Sequence, residues 1–349
     1  MPQDLEFGIP FPARVSPHVA HAEAHTARWA AAHRLAGTTA LRALFTMALA
    51  DCTGRMLPDA DAAGLALGHD VLCWMALWDD QFTGPAGADP DEAERRCRAL
   101  REVVTRLPAP TAPAGAPPLV AAWLDLWHRI SGRMSPAWQA RAARNWHGWI
   151  AGPIHESARR RAGGSLDLDD YLRIRRVTIA AQIWLDIGES TGGYELPDAL
   201  RDSPAVQAMR TVTTDVCVFA NDICSVEIEE AHGDTENGLL VLERTTGLDR
   251  AGAVRALISR IHRQVAFFQY LEQRLPECCV PATDHDGLRA HVATMKALMH
   301  AADAWDRATV RYRPHDNPHL SAYRQWLHVT ATATGHPQQL RTPPERQAP

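Results

Sequence analysis

Apolar positions recur every three to four residues along most of the chain, while alternating β-branched runs bounded by turns are nearly absent. The pattern predicts an all-α fold with helices over 20–35, 38–49, 62–82, 90–106, 119–131, 136–161, 168–190, 203–231, 250–274, 285–310 and 316–329. Ser135 before Pro136 and Ser203 before Pro204 each supply a capping hydroxyl followed by a first-turn proline. The stretch 64–82, GLALGHDVLCWMALWDDQF, is apolar nearly all round until Asp79, which predicts a buried central helix. No fixed-period repeat is present, which argues against a solenoid.

With 349 residues, 46% hydrophobic and 22% charged, the chain has ample material for one large core. The only break in composition is the proline-rich stretch 107–118, which reads as a surface loop inside a single domain spanning 1–330. Residues 331–349 are polar and proline-rich and predict a disordered tail. A net charge of −5 without a basic arm argues against a nucleic-acid partner. The knot Arg159, Arg160 and Arg161 reads as a solvated helix end before Gly163 and Gly164. No run of about eighteen apolar residues occurs, so no membrane span is expected. Seven scattered cysteines without a C-x-x-C pair predict reduced thiols and a cytoplasmic location.

Candidate chemistry lies in NDICSVEIE, residues 221–229. Asn221, Ser225 and Glu229 are spaced four apart and project from one helical face. An amide oxygen, a hydroxyl and a carboxylate suit Mg2+, whereas iron, copper and zinc fit poorly. Asp79 and Asp80 end the buried helix, where the helix dipole disfavours negative charge by about 0.3 to 1 kcal/mol. A bound cation would remove that penalty and the repulsion between the two carboxylates. The alternative is that they begin a solvated turn at Thr83, Gly84 and Pro85.

The residues WDDQF at 78–82 resemble the aspartate-rich motif of class I terpene synthases, and NDICSVEIE resembles their second metal motif, N-D-x-x-S-x-x-x-E. Arg175, 46 residues before Asn221, is similar to the diphosphate-sensing arginine of bacterial members. Arg311 and Tyr312 look like the late arginine-tyrosine pair. The N-terminal stretch resembles bacterial sesquiterpene cyclases, so the likeness runs from about residue 7 to about residue 329.

The resemblance implies a single-domain helical bundle around a central apolar cavity. In it an isoprenyl diphosphate, above all farnesyl diphosphate, is ionised and the carbocation cyclised to a sesquiterpene hydrocarbon or alcohol, with diphosphate released. It places three Mg2+ ions among Asp79, Asp80, Asn221, Ser225 and Glu229, and the diphosphate on Arg175, Arg311 and Tyr312. Helical spacing and the same likeness point to Met75, Ala76, Trp184, Cys217, Val218 and Trp305 as cavity lining. Many relatives are dimers, which leaves a homodimer open. The sequence departs from the pattern at three points. Thr83 stands where an acidic residue is usual, Ile228 where a basic one is common, and IAAQIWLDIG lacks the glycine or proline expected to break the helix, placing the break at Ala180 or Ala181. Alternatives are a cyclase for a ten- or twenty-carbon diphosphate and a weak or inactive diphosphate-binding relative. A chain-elongating synthase would carry a second aspartate-rich box in place of the Asn, Ser, Glu set.

Overall fold

A computed structural model describes residues 4–35, 45–82, 87, 89–164, 166–275 and 285–313. Its helices are α1 (Val19–Ala32), α2 (Leu49–Met56), α3 (Ala62–Asp79), α4 (Pro90–Val104), α5 (Pro118–Ser131), α6 (Pro136–Ala162) and α7 (Leu168–Thr178). They continue as α8 (Ala181–Gly192), α9 (Asp198–Arg201), α10 (Pro204–Ala231), α11 (Gly238–Thr246), α12 (Arg250–Arg274) and α13 (His285–Ala308). Short 3-10 turns follow α3, at Asp80–Phe82, and α13, at Val310–Tyr312. No strand occurs among the described residues, and none of the described helices is long and apolar enough to cross a membrane.

Local chemistry sets the helix starts. Asp61, Asp89, Ser135, Asp167, Ser203, Asn237 and Asp249 each accept a hydrogen bond from a first-turn N–H of the helix they precede. Pro90, Pro118, Pro136 and Pro204 stand in first turns, where no N–H is needed. The apolar α3 is buried against α1, α2, α5 and α8, and α10 packs between α12 and α13. Trp74 of α3, Trp123 of α5 and Trp146 of α6 form an edge-to-face cluster, with ring centroids 6.1 Å apart for Trp74–Trp146 and 5.8 Å for Trp123–Trp146. Each such pair contributes about 0.5 to 1.5 kcal/mol beyond its buried area.

The structure revises several expected boundaries. The span 168–190 is two helices, because Ile179 ends α7 and Ala180 turns left-handed at φ 64° before α8. Periodicity runs through this break unchanged, and it is the family resemblance that places it at Ala180 or Ala181. Of the expected helix 38–49, residues 38–44 lie outside the described residues, and α2 starts where it was expected to end, after Ala48 at φ 55°. Trp305 Nε1 donates to the carbonyls of both Met47 and Ala48 at 3.0 Å and holds that turn. The short α9 and α11 were not expected. The segment 316–329, the tail 331–349, Thr83, Cys278 and Cys279 lie outside the described residues. The five described cysteines are buried free thiols.

Candidate active site

Two adjoining chambers lie between α3, α6, α7, α10 and α13. The outer one, of about 210 Å3, is lined by Asp79, Asp80, Glu156, Arg159, Arg160, Arg175, Ile228, Glu229, Asp234, Glu236, Arg311 and Tyr312, among others. The inner one, of about 230 Å3, is mostly apolar, with Leu72, Met75, Ala76, Trp149, Trp184, Cys217, Leu298, Ala301 and Trp305 in its wall. Asp79, Arg175, Arg311 and Tyr312 border both chambers and mark the junction.

Asp79 is the last residue of α3, with its side chain 63% exposed to the cleft. Its neighbour Asp80 is engaged differently. Arg311 donates to it from both terminal nitrogens, Nη1 to Oδ2 at 3.0 Å and Nη2 to Oδ1 at 2.5 Å. This planar fork is the strongest geometry available to an arginine-carboxylate pair. Asp80, expected beside Asp79 as a metal ligand, therefore anchors Arg311 here. Arg311 Nη2 lies 3.5 Å from Asp79 Oδ2, so one guanidinium faces both carboxylates.

Across the cleft, α10 places Asn221 in the wall of the inner chamber and Glu229 in that of the outer one, while Ser225, between them on the helix, is buried and lines neither. Asn221 Nδ2 donates to the Tyr312 hydroxyl at 2.8 Å, and its Oδ1 accepts from Arg175 Nη2 at 3.0 Å. Asp222, adjacent in sequence, serves the fold. Its buried carboxylate accepts from the Tyr171 hydroxyl at 2.8 Å and the Gly238 N–H at 3.0 Å, and lies 3.4 Å from Arg175 Nη2. Glu229 accepts from Asn237 Nδ2 at 2.9 Å. Burial, reinforced by the Asp222 charge, pushes its carboxyl up to about 7.

These residues fit a hard divalent cation. Ser225 Oγ is buried and completes no hydrogen bond of normal geometry, although it lies beside the Glu229 carboxylate. Such an orphaned oxygen, next to a carboxylate that burial makes costly to ionise, is what a cation would satisfy. Among the described residues, no group of three or more His, Cys, Asp and Glu side chains is arranged to hold a metal. A cation here depends on the mixed amide, hydroxyl and carboxylate set, which suits Mg2+ with retained waters.

Of the expected lining residues, Met75, Ala76, Trp184, Cys217 and Trp305 border the inner chamber. Val218 does not. It is fully buried in the core, one residue of helical rotation from Cys217 and off the cavity face. Sequence reasoning also missed the role of five residues. Trp149 lines the chamber and donates to the Thr178 carbonyl at 3.1 Å, satisfying the end of α7 just before the break. Asp306 lies buried in the chamber wall, and burial holds its carboxyl well above the usual range despite the opposing influence of the Asn221 amide. Arg159 and Arg160, expected at a solvated helix end, instead form ion pairs at the cleft mouth with Glu236 and Asp234. Asn237 could have been noticed, since an Asn-Gly pair before an apolar run signals a helix start.

Residues 70–266, more than half of the chain, match the profile of the family described as "Terpene synthase family 2, C-terminal metal binding". The (-)-beta-caryophyllene synthase of Saccharothrix espanaensis is 35% identical over 321 residues, covering 90% of this chain and 90% of that protein. Pentalenene synthase of Streptomyces avermitilis is 34% identical over 319 residues, covering 89% and 94%. Among solved structures, wild-type cucumene synthase superposes with a TM-score of 0.77 at 33% identity, covering 86% of this chain and all of that one.

Proposed function

Because the chain belongs to the bacterial class I terpene synthases and is an enzyme, we propose that it ionises farnesyl diphosphate and cyclises the carbocation to a sesquiterpene hydrocarbon or alcohol. The observation that carries this reading is the junction. A charged chamber with arginines and metal-type oxygens shares Asp79, Arg175, Arg311 and Tyr312 with an apolar one, an arrangement suited to a substrate with an anionic head and a hydrocarbon tail.

Asn221, Ser225 and Glu229 on one rim and Asp79 on the other would hold Mg2+, which supplies Lewis-acid stabilisation of the leaving diphosphate. Arg175 and Arg311 would donate to diphosphate oxygens, with planar forks matched to them, the Arg311 fork turning from Asp80, which holds it at the cleft beforehand. The Tyr312 hydroxyl both orients the Asn221 amide and reaches the same head group. The hydrocarbon chain folds in the inner chamber, where apolar walls exclude water from the cation. Trp149, Trp184 and Trp305 can each contribute about 0.5 to 2 kcal/mol of cation–π stabilisation in that dry setting.

The test is to incubate the protein separately with geranyl, farnesyl and geranylgeranyl diphosphate, with Mg2+ or with EDTA, and to analyse solvent extracts by gas chromatography and mass spectrometry. A cyclic product from farnesyl diphosphate that disappears with EDTA is expected. Folded protein that yields no product from any of the three overturns the reading.

A further inference from the structure

We propose that Gln182, in the first turn of α8, is a positioning residue that holds the left-handed turn at Ala180 and with it one wall of the inner chamber. The inference rests on the function proposed above. Thr178, Ile179, Ala180, Ala181 and Trp184 all border that chamber, whereas Gln182 borders neither chamber. The break that brings them there has no local cause. Ala180 takes φ 64° without being glycine, no proline follows within α8, and Ala180 offers that helix no capping side chain. Contacts from other helices must therefore hold it. Trp149 of α6 closes the end of α7 at the Thr178 carbonyl, and Gln182 fixes the start of α8.

The Gln182 amide is engaged on both sides. Its Oε1 accepts from Nε and Nη2 of Arg210, on α10, at 3.0 and 2.7 Å. Its Nε2 donates to Thr214 Oγ1 at 2.7 Å and lies 3.4 Å from the Arg210 carbonyl. The Thr214 hydroxyl gives its own proton to that same carbonyl at 2.9 Å, so toward Gln182 it can only accept, just as the guanidinium can only donate. Turning the amide over would set donor against donor and acceptor against acceptor, which leaves one orientation. Arg210 is itself buried and anchored on its far side, where Nη1 donates to Nε2 of His291, on α13, at 3.0 Å. Burial and the Arg210 charge push the His291 imidazole well below its usual range, so it accepts as a neutral ring. The first turn of α8 is thereby tied to α10 and α13, the helices that carry Asn221 and Trp305.

The experiment compares wild type, Gln182→Met, the milder Thr214→Val, Ala180→Gly, and Gln182→Met combined with Ala180→Gly, all in the full chain. Turnover of farnesyl diphosphate with Mg2+ is read as product spectrum, kcat and KM, and urea unfolding reads the coupling between positions 180 and 182. Gln182→Met keeps the volume but loses every hydrogen bond of the amide. It is expected to lower kcat about tenfold or more and to spread turnover over additional acyclic or differently cyclised products, as for a chain misplaced by a wall shift of about 1 Å. KM should hardly change, because Arg175 keeps its own bonds to α10. Thr214→Val should shift the spectrum in the same direction by less. Glycine at 180 adopts the turn freely, so the double variant should recover most of the lost product selectivity. The two substitutions should also be non-additive in the unfolding equilibrium constant by about a factor of two or more. A wild-type product spectrum from folded Gln182→Met overturns the proposal, as does additivity of the two substitutions in both selectivity and stability. Wild-type protein that forms no product from any allylic diphosphate sinks the proposed function instead, and the stability coupling then decides the clamp by itself.

Discussion

Arg175 Nη2 donates to Asn221 Oδ1 across 3.0 Å, joining the candidate diphosphate sensor on α7 to the candidate metal ligand on α10. The oxygen that would face a cation is held by the group that would grip the anion, so the two roles are coupled through one hydrogen bond. Replacing Asn221 or Glu229 by alanine is expected to lower turnover at least about 100-fold, the scale seen when one preorganised transition-state contact is lost. Far-UV circular dichroism should remain that of the wild type, and Cys224→Ala, on the same helix, should leave turnover near normal. Near-normal product formation by Asn221→Ala would show that the metal assignment is wrong.

Ala180 adopts φ 64° between α7 and α8 without the glycine that makes this conformation free. Ala180→Gly should therefore leave stability unchanged or raise it by up to about 1 kcal/mol, since relief of strain is partly offset by greater freedom of the unfolded chain. Ala180→Val should destabilise by roughly 2 kcal/mol, because a β-branched side chain fits this region badly. Urea denaturation midpoints of the two variants should move in opposite directions or differ by this margin.

Glu189 of α8 is fully buried and bound to Arg141 Nη2 at 2.9 Å, Trp138 Nε1 at 2.7 Å and the Leu196 N–H at 3.1 Å. Glu189→Ala leaves the buried Arg141 guanidinium with only its 3.4 Å contacts to Glu195 and Asp198 and is expected to cost up to about 3 to 5 kcal/mol. Replacing both partners by apolar residues of similar volume should cost less than the single change. Equal losses in the single and double variants, read from chemical denaturation, would deny the pair its structural role.

Burial pushes His69, on α3, down to about 4, with the nearby charge of His25 adding to the effect. The folded state thus binds its proton more weakly than the unfolded state, whose histidine titrates near 6.5. The stability contribution is complete above that value and is lost as pH falls from about 6.5 through 4, to a total of about 3 kcal/mol. His69→Leu should remove this share of the acid dependence. Wild-type and variant stability curves that stay parallel across the window would refute it.

Features encoded within a few residues could be read from the sequence, and those set by distant contacts could not. The caps at Ser135 and Ser203 are local, and both helices begin there. Asn221, Ser225 and Glu229 share a face because helical rotation is fixed. Cys217 and Val218, however, differ by a single step, and only packing decides that the first meets the chamber. The break at Ala180 is imposed by tertiary structure on residues with no preference for it. The ion-pair partners Glu236 of Arg159 and Asp234 of Arg160 lie more than seventy residues downstream, where no local pattern connects them.

The arginine pairings in the cleft have a consequence for selectivity. Arg311 is closed on Asp80, Arg175 on Asn221, Arg159 on Glu236 and Arg160 on Asp234. An anion arriving alone must draw guanidiniums away from these oxygens and leave them unsatisfied, and a cation arriving alone must displace guanidiniums that then lack an acceptor. If the cleft takes both, only their joint arrival would let every group trade one partner for another, so joint binding would be favoured over either ion alone.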